Sequence, residues 1–341
     1  MRRNGLDLVS IVIVNFNGSA YIERCIDSVL KTDYPRFEVI IVDVASTDGS
    51  WQILKEKYGG MHDKVQLLRI NEDVGYSPAN NVGLEHANGH MVALLNNDVE
   101  VSASWLSSLV HALVSNASIG AVQGKQRMLS DRDRIDSVGN VIDRCCYIRQ
   151  VGYGEVDRGQ YDRPLEICVG QPTPMLLKMS TIKNIGGLFD SDYWHLHEDT
   201  DLSWRIWMSG KKVLLVPQSV VFHARSASLK TQQQDLLCFH NKKNAIMTML
   251  KNYELRNLAV YLPLHLLILV GLLMLYIRRR RFDMVRASCA AVCWNMRNLR
   301  KTFTKRRVVQ ERIRSRPDSV FKSLMEPLNI LWLYRRRSIW P

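Results

Sequence analysis

Short apolar runs alternate with amphipathic segments along the first hundred residues of the chain. The apolar runs predict buried strands at Val9–Val14, which is rich in β-branched residues, and at Met91–Leu95, and further strands at Phe37–Val42 and Val65–Ile70. Between them, apolar residues at helical spacing predict helices at Tyr21–Leu30, Ser50–Tyr58 and Pro78–Ala87. Strands that alternate with helices form right-handed βαβ units, so the pattern predicts the α/β class, with a mostly parallel central sheet flanked by helices.

The pattern is less regular after residue 100. Ser102–Val114 is predicted to be a helix, and the polar stretch Gln123–Pro164 is predicted to be an insertion over the edge of the sheet, with room for short strands. The apolar pattern returns at Met175–Met179, and two short strands are predicted at Val213–Val216 and Val220–Phe222.

Polar residues follow each of the first four predicted strands. Asn15–Asn17 end the first strand and Asp43 ends the second, while Asn71–Gly75 and Asn96–Asp98 follow the third and fourth. One such cluster alone is typical of a loop or a helix cap. Because ligands of parallel sheets bind beyond the carboxyl ends of the strands, four clusters in series predict one convergent polar site.

Asp98 has the chemistry of a metal-binding residue. Mg²⁺ and Mn²⁺ prefer oxygen ligands and leave positions open for substrate phosphates, so a carboxylate here can hold an ion that neutralises a diphosphate. His223 ends a later strand and can supply an imidazole ligand, which suits Mn²⁺. Both residues have plainer interpretations, since Asp98 can cap the helix after Ser102 and a single histidine is often a core or turn residue.

Asp43 and Phe16 together suit the recognition of a nucleotide base. A carboxylate at a strand end can accept a hydrogen bond from the imide N–H of a pyrimidine, and a phenyl ring can stack on the base. The alternatives are an ordinary turn at Asp43, next to the turn signal Asp48-Gly49, and core packing for Phe16.

The acidic run Glu198–Asp201 stands directly before an amphipathic helical pattern. Asp199 can be the general base that takes a proton from an attacking hydroxyl, and the clustered negative charge favours a raised carboxylate pKa. Acidic residues are also favoured in the first turn of a helix, so capping is the alternative. Three acids together with His195 and His197 are more than a cap requires.

Four segments resemble the family 2 glycosyltransferases of the GT-A fold. They are VSIVIVNFNGSAYIERCIDSVL, EVIIVDVASTDGS, NEDVGYSPANNVGLEHANGHMVALLNNDVEV and GGLFDSDYWHLHEDTDLSWRIWMSGKKVLLVPQSVVFH, in that order along the chain. The resemblance covers roughly residues 8–250 and includes the aspartate-rich, glycine-asparagine and E-D-x-D elements of the family. It implies a GT-A catalytic domain and an inverting sugar transfer from a nucleotide-sugar donor, with Mg²⁺ or Mn²⁺ as cofactor.

The resemblance also implies roles for individual residues. Asp199 corresponds to the catalytic base with Glu198 as its alternative, and Asp98 corresponds to the metal-binding aspartate, joined in some members by a histidine that His223 matches. The residues implied to bind the nucleotide sugar are Phe16, Asn17, Asp43, Gly75, Asn80 and Asn97.

Two positions depart from the family pattern. Val44 replaces the usual asparagine after the base-binding aspartate, so recognition of the base can differ in detail. The usual D-x-D element is Asn96–Asp98 here and keeps one carboxylate, a variant of the rhamnosyltransferase-like members. It implies weaker metal binding that relies more on the diphosphate of the donor.

Charge and cysteine content indicate where in the cell the protein is expected to act. The formal net charge is +13, and residues 277–341 contain 18 Lys and Arg against 4 Asp and Glu, so a nearly neutral body carries a strongly basic tail. Such a tail suits a phosphate-rich partner, either an anionic membrane surface or nucleic acid. The seven cysteines form no C-x-x-C pair, which favours reduced thiols in the cytosol over a disulfide framework.

The segment Leu258–Ile277 has no formal charge over 20 residues, which is just long enough to cross a bilayer. If it crossed, the catalytic domain and the arginines at 278–281 would lie on opposite sides, although both are expected in the cytosol. Pro263 and His265 therefore favour a kinked, re-entrant or in-plane helix. A spanning anchor and a buried helix of a soluble protein are the alternatives.

The basic tail is predicted to be amphipathic over residues 284–316. It can lie on anionic lipid or hold the diphosphate of a lipid carrier, while part of it can be an ordinary solvated face. Trp332 and Trp340 flank three arginines near the C-terminus, as is common at membrane interfaces. The chain has no nucleic-acid recognition motif, so nucleic acid is not an expected partner.

Together these features predict a catalytic domain at residues 1–250 and a membrane-associated extension at residues 251–341. The expected function is glycosyl transfer from a UDP- or dTDP-sugar, with rhamnose one candidate sugar, to a lipid-linked or polysaccharide acceptor at the cytoplasmic face of the cell membrane. The first alternative is a catalytically inactive relative that serves as a membrane-bound assembly partner. A nucleotidyltransferase or dehydrogenase is disfavoured because no G-x-G-x-x-G or P-loop spacing follows a predicted strand.

Overall fold

The computed structural model describes residues 6–60, 63–225 and 234–328, and Trp332 and Trp340 of the predicted interface lie outside these residues. The strands are β1 (Val9–Asn15), β2 (Phe37–Val44), β3 (Val65–Ile70), β4 (Met91–Asn96), β5 (Val99–Val101), β6 (Ile119–Met128), β7 (Ile135–Ser137), β8 (Asn140–Ile142), β9 (Ile148–Gln150), β10 (Leu165–Glu166), β11 (Met175–Lys178) and β12 (Lys212–His223). The helices are α1 (Ile22–Leu30), α2 (Ser50–Tyr58), α3 (Tyr76–Glu85), α4 (Trp105–Ser115), α5 (Met179–Asn184), α6 (Glu198–Met208), α7 (Gln234–Asn252), α8 (Leu255–Arg278), α9 (Phe282–Arg297), α10 (Leu299–Val308) and α11 (Asp318–Lys322).

The first half of the sheet is parallel, as the alternating pattern predicts. β1 lies between β2 and β4, and β3 forms the edge beyond β2. The β1–β2 register pairs Asn15 with Asp43, and the β1–β4 register pairs Val14 with Asn96. The polar residues that end these strands therefore meet at one edge of the sheet.

The second half of the sheet mixes directions. β11 is antiparallel to both of its neighbours, β4 and β6, and β12 runs parallel to β6 on the far side. The two short strands predicted around 213–222 are one strand, β12, with a register shift between Val216 and Val220. The observed architecture is thus the predicted α/β class with a central sheet flanked by helices.

The predicted insertion at Gln123–Pro164 is wrong at its start, because residues 119–128 form the central strand β6. Polar side chains in this strand disguise it in the sequence, although they have partners inside the protein. The ammonium group of Lys125 lies 2.9 Å from Asp157, and the side-chain oxygen of Gln123 accepts a hydrogen bond from the backbone N–H of Gln171 at 2.6 Å. Short strands β7, β8 and β9 do occur in the remainder of this region.

The described C-terminal helices pack on the same core as the sheet. Leu258, Val309 and Phe321 belong to one buried cluster with strand residues such as Val92 and Val213. The predicted domain boundary at residue 250 falls inside α7. The division into two domains stays a prediction, and the described C-terminal helices pack closely against the sheet.

The predicted basic amphipathic region is partly neutralised by the body of the protein. Lys301 and Lys305 each lie 2.6 Å from the carboxylate of Asp192, and buried Arg306 donates hydrogen bonds to the carbonyls of Leu250 and Tyr253. These three cations therefore anchor α10 to the body of the protein. The sequence predicts instead that they face an anionic partner.

Candidate active site

A cavity of about 870 Å³ opens beyond the carboxyl ends of β1 and β4. Seven of the ten residues predicted for the site lie on its wall, namely Phe16, Gly75, Asn97, Asp98, Glu198, Asp199 and His223. The other three, Asn17, Asp43 and Asn80, are not on the wall. The fold thus brings the predicted metal-binding residues and the predicted base into one enclosed space.

Asp43 lies behind this wall and is fully buried. Asn15 donates a hydrogen bond to its carboxylate at 2.7 Å, and Asn97 in turn donates to the side-chain oxygen of Asn15 at 2.9 Å. The backbone N–H of Ser46 also donates to Asp43. Asp43 is therefore connected to the cavity through two amide side chains, and its predicted contact with the base stays a prediction.

Phe16 and Asn17 occupy the loop after β1 in different ways. Phe16 is half-buried and reaches the cavity wall while it packs against a small apolar cluster below. Asn17 has a φ of 48°, in the left-handed region, and its side-chain oxygen accepts a hydrogen bond from the backbone N–H of Thr47 at 2.9 Å. Asn17 thus joins the two loops that follow β1 and β2.

Gly75 is required by its surroundings. Its φ is 82°, and a Cβ atom built there would lie 2.4 Å from Cδ1 of Trp194 and 2.5 Å from the Trp194 carbonyl oxygen. The close approach lets the backbone N–H of Tyr76 donate to that carbonyl at 2.8 Å. Asn80 is buried on the helix that follows, and its side chain donates to the carbonyl of Tyr76. The glycine therefore fixes the segment that leads to Glu198.

Asp98 and His223 meet at the cavity because β5 pairs with β12, which places His223 opposite Val99. Nε2 of His223 lies 3.2 Å from Oδ1 of Asp98, and Nδ1 lies 2.8 Å from Oδ2 of Asp136 on β7. Arg225 binds the other oxygen of Asp136. Burial alone would lower the pKa of His223, but the hydrogen bonds to Asp136 and Asp98 outweigh burial and raise this pKa to about 9.

The pair fits one side of a divalent metal site, provided that the ion displaces the proton on Nε2 of His223, because histidine binds a metal only in its neutral form. Neighbouring ligands of an octahedral Mn²⁺ or Mg²⁺ ion lie about 3 Å apart when each bond is ~2.1 Å, which matches the separation of Asp98 and His223. Asp136 holds the second nitrogen of His223, as carboxylates do for metal-binding histidines. Within the described residues no group of three acidic, histidine or cysteine side chains could hold a metal alone. Further ligands would have to come from a bound diphosphate.

Glu198 and Asp199 form the first turn of α6 and face the same cavity. The preceding residues Leu196 and His197 both have positive φ values, 71° and 66°, so the backbone turns sharply before the helix begins. Asp199 accepts hydrogen bonds from Asn140 at 3.2 Å and from the N–H of Thr200 at 2.6 Å. Oε2 of Glu198 is buried and has no hydrogen-bond partner among the described residues.

Burial raises the pKa of both carboxyl groups. For Glu198 the negative charge of Asp199 adds to the effect of burial, whereas hydrogen bonds from Thr200 and Asn140 offset part of it for Asp199. Both groups therefore ionise at higher pH than exposed carboxyl groups, and a carboxylate with a raised pKa accepts a proton from a hydroxyl more readily.

Asp201 has a different role from its two acidic neighbours. It forms ion pairs with Arg205 at 2.9 Å and with Lys251 at 3.0 Å. Arg205 also donates to the carbonyls of Ile185, Gly187 and Leu188. This part of the acidic run is therefore structural, and it anchors α6 to the preceding glycine turn.

Several residues of the site have no recognisable signal in the sequence. Asn140 orients Asp199 and is itself held by Gln171, whose side chain accepts from Gln126 at 2.6 Å. Asp136 and Asn140 lie in the stretch interpreted as an edge insertion, where single polar residues are indistinguishable from loop residues. Asp136 reaches the cavity because β7 pairs with β6, whereas Asn140 begins β8, which pairs with β9 and bridges to Val169.

Comparison with known proteins places this geometry in a family. Residues 10–173 match the family model described as glycosyl transferase family 2. A putative teichuronic acid biosynthesis glycosyltransferase of Bacillus subtilis is 31% identical over 133 residues, which cover 39% of this chain and 52% of that protein. The chain spans about half or less of the length of the first curated relatives that it matches.

Two solved structures share the fold. The structure of GalNAc-T7 with UDP, GalNAc and Mn²⁺ aligns with a TM-score of 0.59 and 20% identity over 72% of this chain and 48% of that chain. A mannosyltransferase of Pyrobaculum calidifontis in complex with GDP-Man and Mn²⁺ aligns with a TM-score of 0.53 and 18% identity over 93% of this chain and 84% of that chain. Residues 10–173 are therefore similar to a glycosyltransferase family 2 domain, and the fold of the chain is of the GT-A type.

Proposed function

We propose that this protein is an inverting glycosyltransferase. It moves a sugar from a nucleotide-sugar donor, a UDP- or dTDP-sugar, to a lipid-linked or polysaccharide acceptor in the synthesis of a cell-surface glycan. One observation carries the proposal: the Asp98–His223 pair and the Glu198–Asp199 pair line a single cavity of about 870 Å³ within a fold of this family. That volume lies near the upper end of the ~300–1,000 Å³ typical of small-molecule sites, so it has room for a donor and part of an acceptor.

The donor end of the site is assigned to the loops after β1, β2 and β4. Asp98 and His223 would hold Mg²⁺ or Mn²⁺, which would neutralise the charge of the departing diphosphate. Phe16 offers its ring to the base, with Asp43 as the predicted base-binding carboxylate, and Asn17, Gly75, Asn80 and Asn97 are proposed to shape the donor site. Mn²⁺ in the two solved neighbours supports the choice of metal.

The reaction proposed for the other end is a single displacement. The acceptor hydroxyl forms a bond to the anomeric carbon while the bond from that carbon to the diphosphate breaks, and the configuration inverts. Asp199 takes the hydroxyl proton, and Asn140 keeps its carboxylate directed into the cavity. The nucleoside diphosphate leaves with the bonding electrons.

The transferred sugar is proposed to be a hexose or deoxyhexose, with rhamnose as one candidate. The support for rhamnose is the Asn96–Asp98 variant of the D-x-D element. The similarity to a teichuronic acid biosynthesis enzyme supports an acceptor in a cell-surface polymer.

The helix α8 supports a location at the cytoplasmic face of the membrane. It is long and apolar enough to cross a bilayer, but one face packs on the body, where Nδ1 of His265 donates to the carbonyl of Cys145 at 2.8 Å. The opposite face exposes large apolar side chains at Val260, Leu267, Val270, Met274 and Ile277. A helix attached to the domain along its length suits an in-plane position with this face in the lipid.

A catalytically inactive relative that acts as a membrane-bound assembly partner is the second candidate. The observation that favours it is the single carboxylate of the Asn96–Asp98 element. Metal-dependent hydrolysis of a nucleotide sugar by the purified protein would exclude this candidate, because an assembly partner has no need of that chemistry.

The substitution Asp199→Asn tests the proposed base. It preserves the shape of the side chain and removes its capacity to accept a proton, so we expect kcat to fall by ~10²–10⁴ with little change in donor KM. Glu198→Gln is the matched comparison at the neighbouring carboxyl group. Transfer at the wild-type rate in Asp199→Asn together with a large loss in Glu198→Gln would assign the base to Glu198, and transfer unaffected in both would contradict the proposal.

A further inference from the structure

The cavity extends beyond the reacting carboxylates into a space that no donor group explains. Its far wall consists of α7 and α8, which contribute apolar side chains at Leu237, Ala245, Leu272 and Leu275. This wall belongs to the C-terminal helices and lies outside the part of the chain that matches the family model. A polar nucleotide would gain little from such a surface, whereas a hydrocarbon chain would gain from burial on it.

Polar groups line the same cavity as this apolar surface and Glu198. His265 is 1% exposed, and because its Nδ1 donates to a carbonyl, the neutral ring presents the lone pair of Nε2, which has no partner among the described residues. Burial lowers the pKa of His265 to about 4, so the ring is neutral at physiological pH. A neutral Nε2 accepts a hydrogen bond, and a sugar hydroxyl is a suitable donor.

Tyr147 stacks on the His265 ring at 5.3 Å, and its hydroxyl is buried and has no hydrogen-bond partner among the described residues. An unsatisfied buried hydroxyl costs free energy unless a ligand completes it. The ammonium group of Lys242 lies 5.5 Å from the Tyr147 ring, and Lys242 is 8% exposed on the cavity wall. Its positive charge is felt inside the cavity, since it also lowers the pKa of His197 and His265.

Arg279 completes the arrangement at the C-terminal end of α8. It lines the cavity one helical turn from Leu275 and Tyr276, whereas its neighbour Arg278 does not. The wall therefore presents a buried cation, two unsatisfied polar atoms and an apolar surface, with a second cation at the rim. This order matches a phosphate-bearing sugar head joined to a hydrocarbon chain.

We propose that Lys242, Tyr147, His265 and Arg279 form the acceptor subsite and that the acceptor is an anionic amphiphile with a phosphate group between its sugar and its hydrocarbon chain. This inference rests on the proposed glycosyl transfer and assigns its acceptor. Lys242 and Arg279 bind the phosphate, and the hydroxyl of Tyr147 donates to a phosphate oxygen. Nε2 of His265 accepts a hydrogen bond from a sugar hydroxyl, and the hydrocarbon chain lies on Leu272 and Leu275. The exposed apolar face of α8 places this subsite beside the lipid surface that supplies such a molecule.

The test is a calorimetric titration of the protein with three probes: dodecyl phosphate, inorganic phosphate and dodecyl maltoside. The two dodecyl compounds are used below their critical micelle concentrations. We expect dodecyl phosphate to bind at least tenfold more tightly than either of the others, because only it combines charge with a hydrocarbon chain. Equal binding of inorganic phosphate would assign the site to a free phosphate, and equal binding of the maltoside would remove the role of charge. Either result would overturn the inference.

Variants separate the cavity from general partition onto α8. Lys242→Met should weaken dodecyl phosphate binding by roughly tenfold, since it removes a charge-assisted contact and keeps the length of the side chain. Arg279→Gln should weaken it several-fold, and Arg278→Gln, an equally exposed arginine beside it, should leave it within twofold. Equal effects at Arg278 and Arg279, or no effect of Lys242→Met, would show surface partition only.

Tyr147→Phe guards against loss of folding as the explanation. It removes a buried hydroxyl that lacks a partner, so the variant should be at least as stable as wild type in thermal denaturation while it binds dodecyl phosphate more weakly. Unchanged binding in Tyr147→Phe would remove the tyrosine from the subsite. UDP and dTDP, each titrated into the wild-type protein with Mn²⁺, separate the two proposals: binding of either nucleotide without amphiphile binding overturns this inference alone, and absence of binding of both nucleotides overturns the proposed function.

Discussion

At the residue scale, Glu198 and Asp199 are adjacent in sequence and differ in how their carboxyl groups are bonded. Asp199 has hydrogen bonds from Asn140 and Thr200, whereas Oε2 of Glu198 has no partner among the described residues. A buried carboxylate without a partner is expensive to ionise, so Glu198 is the member of the pair that holds its proton to higher pH. Asp199, whose carboxylate accepts hydrogen bonds from Asn140 and Thr200, is then the group left to act as base.

The raised pKa of Glu198 predicts a pH-dependent stability. In the unfolded chain a glutamate titrates near ~4.3, and in the folded protein burial and Asp199 raise the pKa. The stability that the protonated group contributes is therefore complete below the unfolded pKa and is lost as the pH rises through the folded pKa. Glu198→Gln is neutral at every pH. Relative to wild type, its free energy of unfolding should therefore rise by about 1.4 kcal/mol for each pH unit between the unfolded and the folded pKa of Glu198.

Thermal denaturation of both proteins at pH 5 and pH 9 checks this prediction. Glu85→Gln is the control, because Glu85 is exposed at the end of α3. A gain for Glu198→Gln at pH 9 that exceeds the gain at pH 5 agrees with the prediction. An equal difference in stability from wild type at both pH values would show that the pKa of Glu198 is not raised.

The role of a single residue is predictable from the sequence where the residue stands beside a clear strand or helix signal. It is not predictable where only tertiary contacts bring the residue to the site. Asp98 and Asp199 stand beside clear strand and helix signals, so their types and positions suggested chemistry. Asn140 and Lys242 stand in segments whose local patterns indicate a loop and a helix, and nothing near them in sequence reveals the cavity. His265 bonds to Cys145 across 120 positions, and no local pattern encodes such a contact.

At the scale of elements, the loop between β3 and α3 determines where the segment before Glu198 can lie. Gly75 adopts a φ of 82° with a ψ of 176°, a conformation open to essentially glycine alone, and it lies against Trp194. Gly49 also has a positive φ, 88°, but a Cβ there would meet nothing within 4 Å. An added Cβ would therefore meet backbone strain at both glycines, and a steric conflict at Gly75 alone of the two.

Gly49→Ala should destabilise the protein by ~1–2 kcal/mol from backbone strain alone. Gly75→Ala should cost about 1–3 kcal/mol more, because its ψ of 176° is closed to alanine and the Trp194 segment must move, and it should reduce kcat as Glu198 and Asp199 are displaced. Chemical denaturation and steady-state kinetics measure both effects. Equal losses of stability in the two variants would contradict the role of Gly75 as a contact point.

The elements themselves follow the sequence closely where burial is uniform. β1 to β4 and the helices between them match the prediction within a few residues. For β1, β2 and β4 the reason is burial of both faces, which leaves an almost unbroken apolar run, whereas β3 is a partly buried edge strand. β6 was missed because Gln123, Lys125 and Gln126 are buried with their own partners, which interrupts the run. A polar residue satisfied by a distant partner cannot be told from a loop residue by periodicity.

At the scale of the whole molecule, one cavity joins two regions with different origins. The matched family domain supplies Asp98, and the helices beyond it supply the apolar wall with Lys242. The net charge of +13 is also unevenly used, since Lys301, Lys305 and Arg306 anchor α10 to the body. The arginines around 278–281 remain the described cations best placed for an anionic surface. Only the packing of distant segments could show this division.

The most direct test of the central claim is a calorimetric titration of the protein with UDP and with dTDP, each in Mn²⁺ and in EDTA. The account predicts that one nucleotide binds in Mn²⁺, that EDTA abolishes the binding, and that Asp98→Asn weakens it at least tenfold while the exposed Asp131→Asn does not. His223→Gln should reproduce the effect of Asp98→Asn and excludes misfolding of a single variant as the cause. Equal binding in EDTA, or full binding in both Asp98→Asn and His223→Gln, would contradict it.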